Sequence, residues 1–476
     1  MSNESSGKKA LRAGMGYTIG NILIRGLSFI SLPIFARLLT VSDFGVYTNF
    51  SAYVSIVSII ISFALHASIK NAKFDYEEQT GSFCSSVTLL ILANTAFLLL
   101  IGTLFRAPLS TLLSLEHPYL VILIVAESFC MAMITFYNNV LSVDYKYKEY
   151  LILSAIYAVF GVILSVALIL TACQTQRYLG RILGALFVAF GITVYIFIRL
   201  YRTALPRFNR EYWRYGMKIS LPIVPHGLSQ LLLAQFDRIM IKATIGSTEA
   251  GLYGFSYNIG TIFQVITNSL DTAWTPWFFE QMTAKDYANI RKVGRGYTLF
   301  VSLGAIALLL VAPEVILILG GSKYAESRYV TFPIVLAMFY AFLYTLPASV
   351  EYYYKKTTYI AIGTMSAAAI NIVLNLIFIP RFGYIAAAYT TVVCYLLYYV
   401  FHVILSRRIH GSIIYDMPQQ LLCLAAVTAA AFICLALADQ MLIRWAILVA
   451  GLIVAAVWAL RHKEMIRTLI ADFRKK

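Results

Sequence analysis

The sequence is poor in charged residues. Asp, Glu, Lys and Arg together make up 13% of its 476 residues, about half the share found in ordinary soluble proteins. A soluble chain of this length normally divides into domains that polar linkers join, and long polar linkers are also missing here. The shortage of charge therefore excludes a soluble enzyme and an intrinsically disordered chain.

Sequence signatures of catalysis, nucleotide binding and metal binding are missing as well. The chain contains no GxxxxGK[ST] phosphate loop, no HExxH metalloprotease motif and no GxSxG nucleophile elbow. Its six cysteines form no CxxC pair and have no metal-ligand spacing. We therefore expect a protein that is not an enzyme and that uses neither a cofactor nor a metal ion in a fixed centre.

Long hydrophobic runs dominate what is present, because 60% of the residues are hydrophobic. A helix needs about 20 apolar residues to cross a bilayer, and such runs recur along the whole chain. The sequence predicts an all-α polytopic membrane protein with about fourteen transmembrane helices. These predicted spans lie near residues 14–36, 44–66, 83–105, 118–138, 150–171, 181–201, 217–240, 250–276, 297–319, 330–350, 358–380, 384–406, 418–438 and 441–460.

The net charge of +16 would suggest a nucleic-acid partner in a soluble protein. Here most lysines and arginines fall in alternate loops, with the densest groups at 199–218, 285–295 and 461–476. Positive charge collects in the cytoplasmic loops of membrane proteins. We therefore expect both termini in the cytoplasm and no nucleic-acid partner.

An internal repeat divides the chain. RGLSFISLPIFAR (25–37) corresponds to HGLSQLLLAQFDR (226–238), and SDFGVY (42–47) corresponds to TEAGLY (248–253). Each copy holds six spans, so the copies enter the membrane with the same orientation, as in transporters built from parallel repeats around a central cavity. The predicted layout is a cytoplasmic N-terminus (1–13), an N-lobe (14–201), a basic cytoplasmic loop (202–216), a C-lobe (217–406), a peripheral helix pair (407–460) and a basic cytoplasmic tail (461–476).

Polar residues at helical spacing form stripes on the first, second, seventh and eighth spans. Polar side chains within a membrane usually face a cavity or a partner helix. The predicted cavity residues are Asn21, Arg25 and Ser28 on the first span, His226 and Gln230 on the seventh, and Gln264 and Asn268 on the eighth. Arg25 carries the strongest prediction, because a guanidinium group cannot lose its proton and must meet water, an acid or an anion.

Some of these stripes also have structural interpretations. The serines of the second span (Ser51, Ser55, Ser58 and Ser62, followed by His66) could form a helix-packing seam. His226 could be a packed neutral histidine, and the adjacent Asp237 and Arg238 could form structural ion pairs with neighbouring residues. Glu127, Asp237 and Asp271 are the candidates for ion coupling, since a carboxylate can exchange a proton while Arg25 meets the substrate.

Three segments resemble a known family: ARLLTVSDFGVYT (36–48), SLPIVPHGLSQLLLAQFDRIMI (220–241) and NIVLNLIFIPRFGYIAAA (371–388). They are similar to the polysaccharide-transport branch of the multidrug/oligosaccharidyl-lipid/polysaccharide exporter superfamily. The resemblance implies two six-helix lobes around a cationic cavity in a bacterial plasma membrane. It also implies an undecaprenyl-diphosphate-linked oligosaccharide substrate for O-antigen, capsule or exopolysaccharide synthesis, coupling to H⁺ or Na⁺, and a polysaccharide polymerase as a possible partner.

The residues and the resemblance agree on the chemistry. Arginine binds a diphosphate in bidentate fashion, while amide, hydroxyl and aromatic groups such as Trp274 suit a sugar. Two alternatives stay open: an organic-cation antiporter of the same superfamily, which should have an acidic cavity, and a membrane polysaccharide polymerase or ligase, which should have a large outer loop.

Overall fold

The computed structural model describes residues 30–461, and the surroundings of their side chains up to residue 454. Within this range every regular element is a helix. After a helical stretch at 30–38 (α1) come α2 (Val41–Ser62), α3 (Ile69–Asp75), α4 (Thr80–Leu104), α5 (Arg106–Leu112), α6 (Tyr119–Val143), α7 (Tyr147–Leu170), α8 (Arg177–Thr203), α9 (Arg210–Ser220), α10 (Val224–Thr244), α11 (Ser247–Ala284), α12 (Tyr287–Gly320), α13 (Arg328–Leu343), α14 (Thr345–Tyr353), α15 (Thr357–Phe382), α16 (Ile385–His410), α17 (Met417–Ala436) and α18 (Met441–Arg461).

The all-helical membrane class is confirmed. Ten helical segments among the described residues are long and apolar enough to cross a membrane. Helices α10 and α11 match the seventh and eighth predicted spans but are not among the ten, and α18 is described as a shorter apolar helix over Met441–Val454. The count of fourteen spans therefore stays a prediction.

The seventh predicted span is not one continuous helix. It is divided into α9 and α10 by a short 3₁₀ turn at Leu221–Ile223. Pro222 and Pro225 cause the break, because proline lacks the backbone N–H that an α-helix needs. Helix α9 packs against the turn at Leu65–Ser68 and against α4, and the Trp213 indole donates a hydrogen bond to the Ser86 carbonyl at 2.9 Å.

The two copies of the repeat meet where α2 packs against α11. A Cβ atom added to Gly45 would lie 1.7 Å from the Ser247 carbonyl oxygen, and one added to Gly251 would lie 2.1 Å from the Val41 carbonyl oxygen. Val41 and Ser247 are equivalent in the repeat, as are the two glycines. The contact is therefore reciprocal, as at a two-fold interface.

We call this end of the bundle the closed end. Further contacts close it: Lys242 of α10 pairs with Glu116, which precedes α6, at 2.7 Å, and the Arg37 guanidinium donates to the Ile318 carbonyl oxygen of α12 at 3.0 Å. Toward the opposite end the same stripe of α11 becomes exposed at Asn268 and Thr272. The two copies therefore diverge with distance from the closed end.

The last two helices pack on the second copy. Helix α17 contacts α12 and α13, while α18 contacts α12. Arg444 of α18 is almost fully buried and forms a two-pronged ion pair with Glu314 of α12, at 2.7 and 2.8 Å. This pair holds α18 against the bundle.

Candidate functional site

A cavity of about 330 Å³ lies along α2 and opens between α2, α6 and α7. We call it the serine cavity, because Ser51, Ser55, Ser58 and Ser62 line it in steps of three or four residues. The hydroxyl groups of Ser55 and Ser58 donate to backbone carbonyls one turn earlier, at 2.9 Å each. Their oxygen lone pairs therefore remain available to a ligand.

A second cavity of about 180 Å³ adjoins the first and shares Tyr47 and Ser51 with it. We call it the arginine cavity, because Arg181 of α8 and Arg238 of α10 both line it. Asn258 of α11 completes a wall that draws on both copies of the repeat. The cavity lies near the closed end, since both arginines are within two turns of the helix ends there.

The two arginines are held by aromatic rings rather than by acids. The guanidinium carbon of Arg181 lies 3.8 Å from the centre of the Phe35 ring, and that of Arg238 lies 4.6 Å from the Tyr257 ring. Arg181 also donates to the Ser165 hydroxyl at 3.2 Å. Such cation–π contacts stabilise a guanidinium without neutralising it.

Both guanidinium groups retain an unused donor. The Nε atoms of Arg181 and Arg238 are buried without a hydrogen-bond partner, and neither residue has an ion pair within the described part of the chain. An arginine stays charged even when buried, and a charge without a direct ion-pair partner is costly within a membrane. Glu127 acts on Arg181, and Asp237 on Arg238, at longer range than an ion pair. The arginine cavity is therefore suited to bind an anion.

Glu127 is the predicted coupling residue that lines the serine cavity. Its side chain is buried, and its Oε2 atom has no hydrogen-bond partner. His226 and Gln230 lie one turn apart on α10, with 3.4 Å between His226 Nε2 and Gln230 Nε2. Leu231 of the same helix lines the serine cavity, so the two polar residues lie close to it along α10.

Asn21, Arg25 and Ser28 lie outside the described residues. Four further predicted residues are on α11. Gln264, Asn268 and Asp271 line a small separate cavity against α13 and α16. Trp274 lies deeper, buried among aromatic rings that include Tyr297, whose centre is 4.8 Å away.

Asp237 is buried in a network of its own. Its carboxylate accepts hydrogen bonds from the Tyr253 hydroxyl, the Asn375 amide and, at 2.8 Å, the Thr391 hydroxyl. No ion pair joins it to Arg238, whose side chain turns instead to Tyr257. Among the described residues neither Asp237 nor Arg238 takes part in an ion pair, so the structural ion pairs with neighbours are not formed there.

The sequence does not predict that Arg181 and Arg238 line a common cavity. Both are near the ends of hydrophobic runs, where a charge is normally assigned to the interface. One signal was available, since Arg181 lies in LGRILGA (179–185) between Gly180 and Gly184. A Cβ atom at Gly184 would lie 2.4 Å from Ser165, so α7 and α8 approach closely enough to direct the arginine inward.

Comparison with known proteins gives one family match. Residues 11–282 match the family described as polysaccharide biosynthesis protein. Protein 1 of the Lsg locus of Haemophilus influenzae is 21% identical over 361 residues, which cover 74% of this chain and 87% of that protein. A protein of Haloferax volcanii named as the probable low-salt glycan biosynthesis flippase Agl15 is 21% identical over 398 residues, 82% of each chain.

Two solved structures share the fold. The lipid II flippase MurJ in an inward closed conformation aligns with a TM-score of 0.72 and 15% identity, over 94% of this chain and 99% of its own. A multidrug resistance transporter of the MATE family, of the MOP superfamily, in an inward-facing conformation aligns with a TM-score of 0.64 and 13% identity, over 83% of this chain and 98% of its own.

Proposed function

Since the chain belongs to the polysaccharide biosynthesis protein family, we propose that it is a flippase for a polyprenyl-diphosphate-linked oligosaccharide. The substrate moves from the cytoplasmic to the outer leaflet of a bacterial plasma membrane and supplies O-antigen, capsule or exopolysaccharide synthesis. The protein acts in transport and not as an enzyme, in line with the flippase name of one relative. Its partners are then the glycan lipid, the surrounding membrane lipids and, downstream, a polysaccharide polymerase.

The observation that carries this proposal is the pair of guanidinium groups in the arginine cavity, neither of which has an ion-pair partner among the described residues. A diphosphate offers oxygens that arginine can bind in bidentate, charge-assisted fashion. Arg181 and Arg238 come from different copies of the repeat. A diphosphate between them therefore bridges the two copies and can respond to their relative movement.

The adjoining serine cavity suits the sugars. Its hydroxyl oxygens and the Tyr47 and Tyr157 rings supply hydrogen-bond acceptors and stacking surfaces. The polyprenyl tail stays in the membrane. Asn21, Arg25, Ser28, His226 and Gln230 are proposed to extend this surface, and the lobe boundaries given above are proposed to describe the two moving units.

The closed end is proposed to be the outer end of the protein. In that orientation both termini are cytoplasmic, and the cavities are accessible from the side on which the glycan lipid is made. Transport then requires the reciprocal contact of Gly45 and Gly251 to separate.

Asp237 is proposed to couple transport to an H⁺ or Na⁺ gradient. Its buried carboxylate is surrounded by neutral donors, which Na⁺ or a proton can displace. It is adjacent in sequence to Arg238, so a change in its charge is felt at the anion site. We expect Asp237→Asn to remove the dependence of transport on the ion gradient.

The two alternatives are less well supported. An organic-cation antiporter needs a cavity that attracts positive charge, whereas two arginines repel it. A polymerase or ligase needs a large outer domain, and the loops between the described helices are short.

Analysis of lipid-linked glycan in cells tests the proposal. We expect deletion of the gene to trap the glycan lipid on the cytoplasmic leaflet, where an impermeant glycosidase added outside cannot reach it. The native gene should restore access, and Arg181→Gln with Arg238→Gln should not. Arg210→Gln, which removes an exposed arginine of α9, is the matched control. Unpolymerised glycan on the outer leaflet of the deletion strain would contradict flipping and support a polymerase.

A further inference from the structure

We propose that α11, with α13, α14 and α16, forms a binding site for one small monovalent cation, Na⁺ or H⁺, with the Asp271 carboxylate as its charged ligand. Asp237 is not part of this site, because neither it nor its hydrogen-bond partners Tyr253, Asn375 and Thr391 line the cavity described next. Only the role of the site in coupling rests on the proposed function. The binding itself does not.

The site is a cavity of about 50 Å³, which we call the Asp271 cavity. Four of its residues follow the spacing of one helix face on α11, and the others come from α13, from the junction of α13 with α14, and from α16. They include Gln264, Thr267, Asn268, Asp271, Thr345 and Tyr395. Asn268 is exposed, so the cavity connects with the space into which the two copies diverge.

Among the described residues (30–454), the Asp271 carboxylate has no ion-pair partner. Its Oδ1 atom is buried and lacks a hydrogen-bond partner. The titratable side chains whose charge would act on it are tyrosines, which are neutral at physiological pH. They are Tyr297 of α12, Tyr344 at the junction of α13 with α14, Tyr352 of α14 and Tyr415 before α17.

A buried ionisable pair lies behind Tyr344. The ring of Tyr344 stacks against His402, with 5.7 Å between centres, and His402 Nδ1 lies 2.6 Å from Glu351 Oε1. The histidine is thus engaged with Glu351, so it does not serve as a counter-charge for Asp271. A carboxylate that is partly buried without a counter-charge favours a bound cation or a proton.

The neutral groups of the cavity present oxygen lone pairs. The Thr267 hydroxyl donates to the Gln264 carbonyl at 3.0 Å, and the Thr345 hydroxyl donates to the Phe342 carbonyl at 2.8 Å. Because each hydroxyl has only one proton, neither can donate to a ligand. Hydroxyl, amide and carboxylate oxygens are the ligands that hard cations prefer, so this donor set favours a cation over an anion.

The volume limits the ligand. One water molecule requires a cavity of at least about 10–15 Å³. The Asp271 cavity, at about 50 Å³, therefore accommodates a sodium ion with a few waters. Drug-sized ligands occupy pockets of about 300–1,000 Å³, which excludes an organic cation. A proton on Asp271 with ordered waters fits equally, and the two sources are separated by experiment.

Thermal unfolding of the purified full-length protein tests the site, because a ligand of the folded state raises the midpoint by mass action. The variants are made in an Asp237→Asn background, which removes the other proposed cation site. One series adds NaCl at pH 8 in place of choline chloride, and the other lowers the pH in choline chloride. Tryptophan fluorescence reports the transition, since Trp274 and Trp277 follow Asp271 within two turns.

We expect the midpoint of Asp237→Asn protein to rise with Na⁺ or with acidity, and the rise to vanish on adding Asp271→Asn. Thr345→Val, which keeps the carboxylate, should weaken a Na⁺ response several-fold and leave a proton response in place. Glu78→Gln removes an exposed carboxylate as the control. An equal response with and without Asp271→Asn, or no response in either series, overturns the site. Neither result bears on glycan transport, because no glycan lipid is present.

Discussion

Gly45 and Gly251 occupy equivalent positions of the internal repeat and pack directly against each other's helix. The Cβ position of each glycine falls on a backbone oxygen of the opposite copy, so no larger residue fits at either position. The motif that reveals the repeat in the sequence is therefore also the contact that closes one end of the bundle.

Substitution at this contact is expected to hold the closed end open. Gly251→Ala places a methyl group against the Val41 carbonyl, and a backbone atom cannot move away as a side chain can. A bismaleimide reagent that spans the length of the two original side chains can cross-link Glu116→Cys to Lys242→Cys, which replace the 2.7 Å pair. The yield of this cross-link should fall several-fold. Transport should also fall, because the closed end can then no longer close.

Gly191→Ala is the matched control, because nothing lies within 4 Å of its Cβ position. Alanine is the better helix former by about 1 kcal/mol, so this variant should fold and cross-link like the native protein. Undiminished cross-linking in folded Gly251→Ala protein would refute the wedge argument.

The buried Arg444–Glu314 pair predicts that a single substitution lowers stability more than a double substitution does. Removing one partner of a buried pair leaves the other charge unpaired, at a cost of about 3–5 kcal/mol. Arg444→Met should therefore lower the thermal midpoint strongly. Arg444→Met with Glu314→Gln should recover much of it, since both charges are then absent.

Thermal unfolding in detergent measures both variants. Arg381→Met removes an exposed arginine and serves as the control. A double variant no more stable than Arg444→Met would mean that packing, rather than the unpaired charge, dominates.

Asp416 predicts an acid-sensitive contribution to stability. The backbone N–H of Gln419 and then the guanidinium of Arg295 hold the pKa of this carboxyl below its usual value. A carboxyl with a lowered pKa in the folded protein stabilises it above the unfolded pKa of about 3.9. That contribution is lost as the pH falls from there through the lowered value.

Asp416→Asn retains a capping oxygen for α17 but carries no charge. Its stability should therefore vary less with pH than that of the native protein in the same acid range. Parallel pH profiles of the two proteins would show that the charge contributes nothing.

The sequence predicts the helices well, because hydrophobic run length dominates that signal. It also predicts the polar face of the second span, and Ser51, Ser55, Ser58 and Ser62 do line a cavity. It cannot predict which way a side chain near a span end turns. Arg181 and Arg238 turn inward because close helix packing and the Phe35 and Tyr257 rings direct them.

Trp274 illustrates the same limit. From the sequence its ring is expected to offer a surface for a sugar, yet the ring is buried against Tyr297 and Trp277. The break between α9 and α10 is a second example. Pro222 and Pro225 are visible in the sequence, but the hydrophobic run continues across them and therefore predicts a single span. Contacts between helices determine where the Trp274 ring lies and how α9 and α10 are arranged, and those contacts cannot be read from one sequence.

Translocation of a labelled polyprenyl-diphosphate oligosaccharide in proteoliposomes tests the central claim most directly. Charge-assisted hydrogen bonds contribute about 1.5–3 kcal/mol each, so Arg181→Gln and Arg238→Gln should each slow transport by about tenfold or more. Arg181→Lys should retain part of the activity, and Arg210→Gln should transport like the native protein. Native rates in the folded Arg181→Gln, Arg238→Gln double variant would contradict the account.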